Sequence, residues 1–202
     1  MPDTDHDTSP LAVLELAAAA VRFVQQNLKI ELDFTADTLP LLDHYLDASR
    51  ADAKKNDELT TLITSAAGAY LGEVVRRTYP TARWHLDPGD HSGWRIELEH
   101  VFLSFNPIGM AREALAQASE EGWNAHLEML EADRRLVAQT LERMGEAAED
   151  DYYRLTTRFE VIEHAIATLE GAAQSRNEAG RRYGADAYAA VLGERAPASK
   201  DN

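Results

Sequence analysis

The sequence predicts an α+β fold, and three observations support that prediction. Long stretches repeat apolar residues every three or four positions, which is the pattern of amphipathic helices. A central stretch alternates apolar and polar residues instead, which is typical of short strands. The two kinds of stretch are grouped along the chain, and this grouping favours helices packed on a small antiparallel sheet. The chain of 202 residues is long enough for one domain with a sizeable core.

Two helices are predicted in the N-terminal third of the chain. The first begins after Ser9, a candidate N-cap whose side chain would accept a hydrogen bond from the first turn. The second is capped by Thr35 or Asp37 and carries apolar residues as far as Leu46. Residues 49–57 are polar and predict a connection to the next helix.

The clearest helix of the sequence covers residues 59–78. Its apolar residues follow i, i+3, i+4 spacing for four turns, so we expect it to be buried along a wide stripe. Gly68 and Gly72 leave a flat strip on which another backbone can lie, at a cost of roughly 1 kcal/mol of helix propensity each. Glu73 follows them, and we expect it to form a structural ion pair, with a general base as the alternative. The candidate partners are Arg76, Arg77 and Arg95.

Three short strands are predicted in the middle of the chain, as an antiparallel meander. The alternating stretches are residues 82–87, 94–99 and 101–105. Turn-forming residues occupy 88–93, and Asn106 with Pro107 ends the meander and begins another helix. Phe102 lies on the face opposite the apolar residues of its strand, so it is either exposed or covered by the C-terminal hairpin.

The last part of the chain predicts helices throughout, as a long hairpin with a short helix at 185–192 behind it. The hairpin seams run from Trp123 to Met144 and from Tyr152 to Ala173. Arg134 occupies a seam position, and we interpret it as an arginine that extends to solvent at the rim. The predicted organisation is therefore a core domain at 1–118, a helical hairpin packed on it at 119–194, and a disordered tail at 195–202.

Composition and charge exclude several classes of protein. The absence of cysteine excludes a disulfide scaffold, thiolate metal sites and cysteine catalysis. The net charge of −15 argues against nucleic acid or an anionic membrane as the partner and favours a basic protein surface. Residues 61–118 carry a net charge of only −1, whereas the parts on either side carry −7 each. No secretory signal or membrane-spanning stretch is apparent, so we expect a cytoplasmic location.

No strong catalytic, cofactor-binding or metal-binding motif is present. His85 and Glu97 are predicted to share the solvent face of neighbouring strands, but two such ligands do not make a metal site. Glu160 and His164 lie one helical turn apart, which an exposed charged pair explains better than half of a two-metal site. We therefore predict no catalytic residues, no cofactor and no metal. The candidates for a pocket or an interaction surface are Tyr70, Glu73, His85, Trp94, Arg95, Phe102 and Arg134.

Five short segments occur in a distinctive order in the first part of the chain. They are Leu32–Phe34, Leu39–Asp43, Gly68–Val75, Ala82–Trp84 and Phe105–Pro107. With this order, residues 20–118 resemble an uncharacterised bacterial domain family of unknown function. The resemblance implies a small α+β domain in which a glycine-bearing helix packs on a short antiparallel sheet. No catalytic residues follow from it, and the C-terminal helices lie outside it.

Two functions of different classes remain open at this point. The first is a non-catalytic acidic protein-binding module, in its concrete form a toxin-immunity (antitoxin-like) protein whose acidic surface covers a basic toxin site. The alternative is a small-molecule-binding protein or enzyme with a pocket between the meander and the C-terminal helices. That pocket would be lined by Tyr70, Glu73, His85, Trp94 and Arg95. A homodimer through the seam of the C-terminal helices is a third hypothesis.

Overall fold

The fold was analysed in a computed structural model, which describes residues 9–145, 148 and 151–193. In these residues the chain forms seven α-helices and one four-stranded antiparallel sheet. The elements are α1 (Leu11–Leu28), α2 (Leu39–Ala53), α3 (Asp57–Thr78), β1 (Ala82–His85), β2 (Arg95–Leu98), β3 (Leu103–Phe105), α4 (Pro107–Ala116), β4 (Glu128–Met129), α5 (Glu131–Met144), α6 (Leu155–Ser175) and α7 (Ala185–Leu192). The tail predicted at 195–202 lies outside the described residues.

Helix α3 is the centre of the fold, as its wide apolar stripe predicts. It is buried from Ile63 to Val75 and contacts α1, α2, α4 and β1. Asn56 caps its first turn, because its side-chain oxygen accepts a hydrogen bond from the amide of Leu59 at 3.1 Å. The residues that surround α3 form one continuous apolar core with it.

The glycine strip of α3 holds two neighbours at very short range. A Cβ atom on Gly68 would lie 2.4 Å from the Cα atom of Ile108, in the first turn of α4. A Cβ atom on Gly72 would lie 2.1 Å from the indole ring of Trp84 in β1. The predicted close approach is therefore confirmed: a backbone lies on Gly68, and an aromatic ring lies on Gly72.

The strands follow one another across the sheet in the order β1-β2-β3-β4. The three-stranded meander is confirmed, and β4 adds a short strand beside β3 that the sequence did not predict. The inner face of the sheet packs into the apolar core through Ile96, Leu98, Leu103 and Phe105. The α+β class is therefore confirmed, with one strand more than expected.

The first long C-terminal helix begins later than predicted. Residues 117–130 form a loop and β4, and α5 begins only at Glu131. Gln117, Gly122 and Asn124 have φ values of 55°, 84° and 48°, which a right-handed helix does not accommodate. The helical spacing of Trp123, Leu127 and Leu130 is therefore coincidental, whereas the later part of the predicted seam, from Val137 on, does lie in α5.

Three expectations for the N-terminal third are also wrong. Residues 49–53 belong to α2, since Ala53 is buried at the end of this helix, and the connection to α3 is only residues 54–56. Ser9 does not cap α1 through its side chain; its hydroxyl donates a hydrogen bond to Glu73 in α3 instead. Neither Thr35 nor Asp37 caps α2, which begins after a short 3₁₀ turn at 36–38.

Helix α6 connects the C-terminal region to the common core. Its buried residues from Leu155 to Leu169 belong to the same apolar cluster as α2, α3, α4 and the sheet. Asp43 of α2 fixes the start of α6, because its carboxylate accepts hydrogen bonds from the amides of Leu155 (2.7 Å) and Thr156 (3.1 Å). The apolar face of α6 is thus covered within the chain, and a homodimer through the C-terminal helices stays a prediction.

Candidate ligand-binding site

A row of four polar side chains crosses the outer face of the sheet, which is the face directed away from α3. Each strand supplies one of them, at directly opposed positions in the register: Arg83, Glu97, Ser104 and Glu128. Opposed residues of neighbouring strands project on the same side of a sheet. The alternating pattern that buries the inner face therefore places this polar row on the outer face.

Glu97 is the buried centre of the row. Its Oε2 atom accepts a hydrogen bond from Nη2 of Arg83 at 2.7 Å, and its Oε1 atom accepts one from Nε of Arg95 at 2.8 Å. The side chain of Glu97 is only 1% exposed. A buried carboxylate between two arginines is compensated by charge-assisted hydrogen bonds, so it holds both guanidinium groups in fixed positions.

His85 lies at the edge of this charged cluster. Its Nδ1 atom is 4.0 Å from Oε1 of Glu97, and the side chain is partly exposed. Burial, and after it the nearby Arg95 guanidinium, lowers the pKa of His85 below the usual value for histidine. The predicted juxtaposition of His85 and Glu97 is confirmed, but Glu97 is buried rather than solvent-facing.

Helix α7 covers part of the outer face through a single anchor, Tyr188. The hydroxyl of this fully buried tyrosine accepts a hydrogen bond from the amide of Leu103 (2.9 Å) and donates one to the carbonyl of Leu98 (2.7 Å). Its ring stacks on Phe102 with the centroids 4.3 Å apart. Phe102 is therefore covered rather than exposed, and the element that covers it is α7 instead of the predicted hairpin. The same burial raises the pKa of Tyr188.

A cavity of about 310 Å³ lies on the outer face beside α7, and we call it the outer-face pocket. It is bounded by β2 and β3, by the loop that precedes β4, and by the end of α7. Leu192 contributes an apolar side chain, whereas Trp94 and Phe105 border the cavity with their side chains packed on the inner side of the sheet. The polar lining of the cavity includes Arg95, Ser104, Asn124, His126 and Glu128. The volume and the mixture of apolar walls with a few polar groups are typical of small-molecule sites.

The Ser104 hydroxyl is the group in this pocket that calls for an explanation. The residue is 1% exposed, and its Oγ atom has no hydrogen-bond partner in the described residues. A buried hydroxyl normally has a hydrogen-bond partner, and leaving it without one costs about 1–3 kcal/mol. The hydroxyl is therefore free to bind a group that enters the pocket.

Glu128 of β4 is the last residue of the polar row and borders the pocket. Its Oε1 atom lies 2.7 Å from Nε2 of His126, and its Oε2 atom accepts a hydrogen bond from Nη2 of Arg134 at 3.0 Å. Arg134 also lies 3.0 Å from Glu131. Arg134 is partly exposed, as a rim position predicts, and its partners are these two carboxylates.

Nucleophilic catalysis by Ser104 needs an adjacent base to activate the hydroxyl, and no such contact exists in the part of the chain that the structure describes. Over the same residues, no group of three or more histidine, aspartate or glutamate side chains is placed to hold a metal ion.

The structure brings together some of the predicted pocket residues and separates others. Trp94 and Arg95 line the outer-face pocket, and His85 lies next to Arg95 through Glu97. Tyr70 and Glu73 do not belong to it, because both are fully buried on α3, which packs on the opposite face of the sheet.

Glu73 forms the structural ion pair that was expected, and its contacts define a separate buried cluster. Its carboxylate lies 3.2 Å from Nε of Arg76 and 3.9 Å from Nε of Arg77, but it does not pair with Arg95. It also accepts a hydrogen bond from Nε1 of Trp84 at 2.9 Å. Ser9, just before α1, also donates a hydrogen bond to this carboxylate. These contacts occupy the carboxylate and hold α1 and β1 against α3, so a structural role accounts for Glu73.

Sequence reasoning missed Ser104, Asn124, His126 and Glu128. The last three lie in the segment that was predicted to be helical. Gly122 and Asn124 are residues common in turns and were the available signal for a loop there. For Ser104, the alternation of its strand already indicated the outer face, but its position beside Glu97 depends on the register.

The comparisons with known proteins concern the first half of the chain. Residues 2–99 match a family of unknown function (DUF6278). The predicted resemblance to an uncharacterised domain family is thereby confirmed, although the DUF6278 match ends before Phe105–Pro107. It includes β1, β2 and the Trp94–Arg95 side of the pocket, whereas Ser104, Glu128 and α7 lie beyond it. No curated protein and no solved structure matches the chain. No helix of the described residues is long and apolar enough to cross a membrane.

Proposed function

We propose that the protein binds a small polar organic molecule in the outer-face pocket, without a chemical step. The observation that carries the proposal is the Ser104 hydroxyl, which is buried, lines the cavity and has no partner in the described residues. The neighbouring Arg95 guanidinium supports it, because Glu97 holds this group in place before any ligand arrives. A preorganised polar group beside an apolar wall increases affinity by lowering the cost of ordering on binding.

A ligand-observed NMR screen of polar metabolites tests this function. The Ser104→Val variant adds apolar bulk at the floor of the pocket, so ligands found with the wild-type protein should no longer bind. Ser119→Val, in the exposed loop after α4, is the matched control and should retain binding. Circular dichroism verifies that each variant is folded. An empty screen, or ligands that bind Ser104→Val as well as the wild type, would contradict the proposal.

A second function, the acidic protein-binding module, is favoured by a different surface. A groove of about 470 Å³ between α1 and α3 is lined by Leu16 and Leu62, with Asp57 and Glu58 at its rim. Leu62 is 47% exposed, so its apolar side chain is accessible to a partner. Apolar contact flanked by carboxylates suits a basic partner with an apolar anchor. A toxin-immunity protein is the concrete form of this proposal.

Binding to the purified products of neighbouring genes tests the second function. The affinity should fall as the salt concentration rises, and Leu62→Glu should weaken the complex. Leu136→Glu changes a comparably exposed leucine on α5 and should leave the complex intact. If no neighbouring product binds, or if both variants bind equally well, this groove is not the docking surface.

A further inference from the structure

We propose that the outer-face pocket selects organic molecules that carry a carboxylate, which binds the Arg95 guanidinium and the Ser104 hydroxyl. This inference rests on the proposed ligand-binding function and adds the chemical class of the ligand. It follows from which hydrogen-bonding groups of the pocket are already occupied and which are open.

The two carboxylates in and beside the pocket, Glu128 and Glu97, already have partners. Each oxygen of Glu97 accepts a hydrogen bond from a different arginine, at 2.7 Å and 2.8 Å. The two oxygens of Glu128 lie 2.7 Å from His126 and 3.0 Å from Arg134. A cationic ligand would therefore have to displace an existing charged partner from one of these carboxylates.

Two donors in the pocket are open. Arg95 directs Nε and Nη2 towards Oε1 of Glu97, whereas its Nη1 atom has no hydrogen bond or ion pair in the described residues. The Ser104 hydroxyl, on the neighbouring strand, has no partner among them either. A guanidinium edge and a hydroxyl together match the two oxygens of a carboxylate.

The same contacts argue against a phosphate group. Phosphate sites commonly use the free amides of a helix N-terminus, and α4 begins at this pocket. Its first amides are already occupied, because Oδ1 of Asn106 accepts hydrogen bonds from Ile108 (2.8 Å) and Gly109 (3.0 Å). The two open donors, Nη1 of Arg95 and the Ser104 hydroxyl, match the two oxygens of a carboxylate better than the three terminal oxygens of a phosphate.

The size of the cavity indicates an organic ligand rather than an inorganic anion. Leu192 of α7 lies at the end of the cavity. Trp94 and Phe105 border it, but their side chains pack on the inner side of the sheet. An ion as small as chloride or bicarbonate would leave most of the 310 Å³ unfilled. The ligand class is therefore a small carboxylate with an organic body that fills the cavity beside Leu192.

Isothermal titration calorimetry with matched probe pairs tests the inference. The pairs are benzoate with benzamide and phenylacetate with phenylacetamide, so that only the charged group differs, and phenyl phosphate provides the phosphate arm. We expect each carboxylate to bind at least about tenfold more tightly than its amide, because a charge-assisted hydrogen bond to Arg95 is stronger than a neutral one. Phenyl phosphate should bind more weakly than the carboxylates.

Three variants locate the effect. Arg95→Gln should remove the preference for carboxylates, and Ser104→Ala should weaken their binding while leaving every existing hydrogen bond intact. Arg158→Gln removes an ion pair to another buried carboxylate, that of Glu113, but Arg158 lies on α6 and does not line the pocket, so this variant should keep the preference. Thermal melts confirm that the variants are folded at the titration temperature.

The outcomes separate the inference from the function on which it rests. If the amides or phenyl phosphate bind as tightly as the carboxylates, the ligand class is wrong and the pocket remains a ligand site. The same conclusion follows if Arg95→Gln keeps the carboxylate preference. If neither the probes nor any molecule of the metabolite screen binds, both the inference and the proposed function fail.

Discussion

Alanine at Gly68 and alanine at Gly171 should change the stability of the protein in opposite directions. Both glycines lie inside helices, α3 and α6, where alanine is favoured over glycine by about 1 kcal/mol. Nothing lies within 4 Å of a Cβ atom at Gly171. Gly171→Ala should therefore stabilise the protein by up to about 1 kcal/mol, which raises the melting temperature by roughly 2–4 °C at this chain length.

At Gly68 the packing cost exceeds the gain in helix propensity. A Cβ atom there would lie 2.4 Å from Cα and 2.6 Å from N of Ile108, and 2.7 Å from the carbonyl oxygen of Pro107. These are backbone atoms in the capped first turn of α4, so no side-chain rotation relieves the overlap. Overpacking of a core costs about 1–3 kcal/mol, and a backbone clash belongs at the upper end. The net loss for Gly68→Ala is about 2 kcal/mol, or roughly 4–8 °C.

Urea denaturation followed by circular dichroism measures both variants against the wild type. The midpoint should fall for Gly68→Ala and rise for Gly171→Ala, with unchanged slopes. If Gly68→Ala is as stable as the wild type, α4 does not lie on the glycine strip at the distance described. If Gly171→Ala is destabilised, the gain in helix propensity on which the comparison depends is absent, and the loss at Gly68 cannot be assigned to the overlap with α4.

Three further predictions concern other contacts. Asp43→Ala should destabilise the protein by about 2–4 kcal/mol in urea denaturation, because two amides at the start of α6 lose their acceptor, and Asp43→Asn should cost less. Tyr188→Phe should release α7, so trypsin should cleave at Arg181 faster than in the wild type, and equal rates would show that the hydroxyl does not anchor the helix. Burial lowers the pKa of His91, so its NMR titration midpoint should lie below about 6.5, and the associated stability should be lost as the pH falls below that value. A midpoint at or above that value would contradict the burial of His91.

The elements with long, regular patterns were predictable from the sequence. The apolar stripe of α3 extends over several turns, and the alternation of β1, β2 and β3 is unbroken, so local spacing alone determines these elements. The exceptions are short. β4 contains only Glu128 and Met129, which is too little for a pattern of two to appear. Trp123, Leu127 and Leu130 repeat at helical spacing by coincidence, and Gly122 and Asn124, which both have positive φ values, were the weaker signal for the loop.

The site was less predictable than the fold, because it depends on contacts between distant parts of the chain. Trp94 and Arg95 were recognised from their strand. The position of Ser104 between Glu97 and Glu128 requires the register of three strands, and one of these strands was not predicted. The cover over Phe102 depends on Tyr188, 86 positions later in the sequence. Spacing along the chain carries no information about such pairings.

The position at which a carboxylate binds tests the central claim most directly. In an NMR titration of the labelled protein with phenylacetate, we expect the largest shift changes at the Arg95 Nε–H signal and at the amides of residues 92–95 and 104–106, which border the outer-face pocket. Ser104→Val should abolish these changes. If phenylacetate shifts no signal there, or shifts only signals elsewhere on the protein, the outer-face pocket is not a carboxylate site.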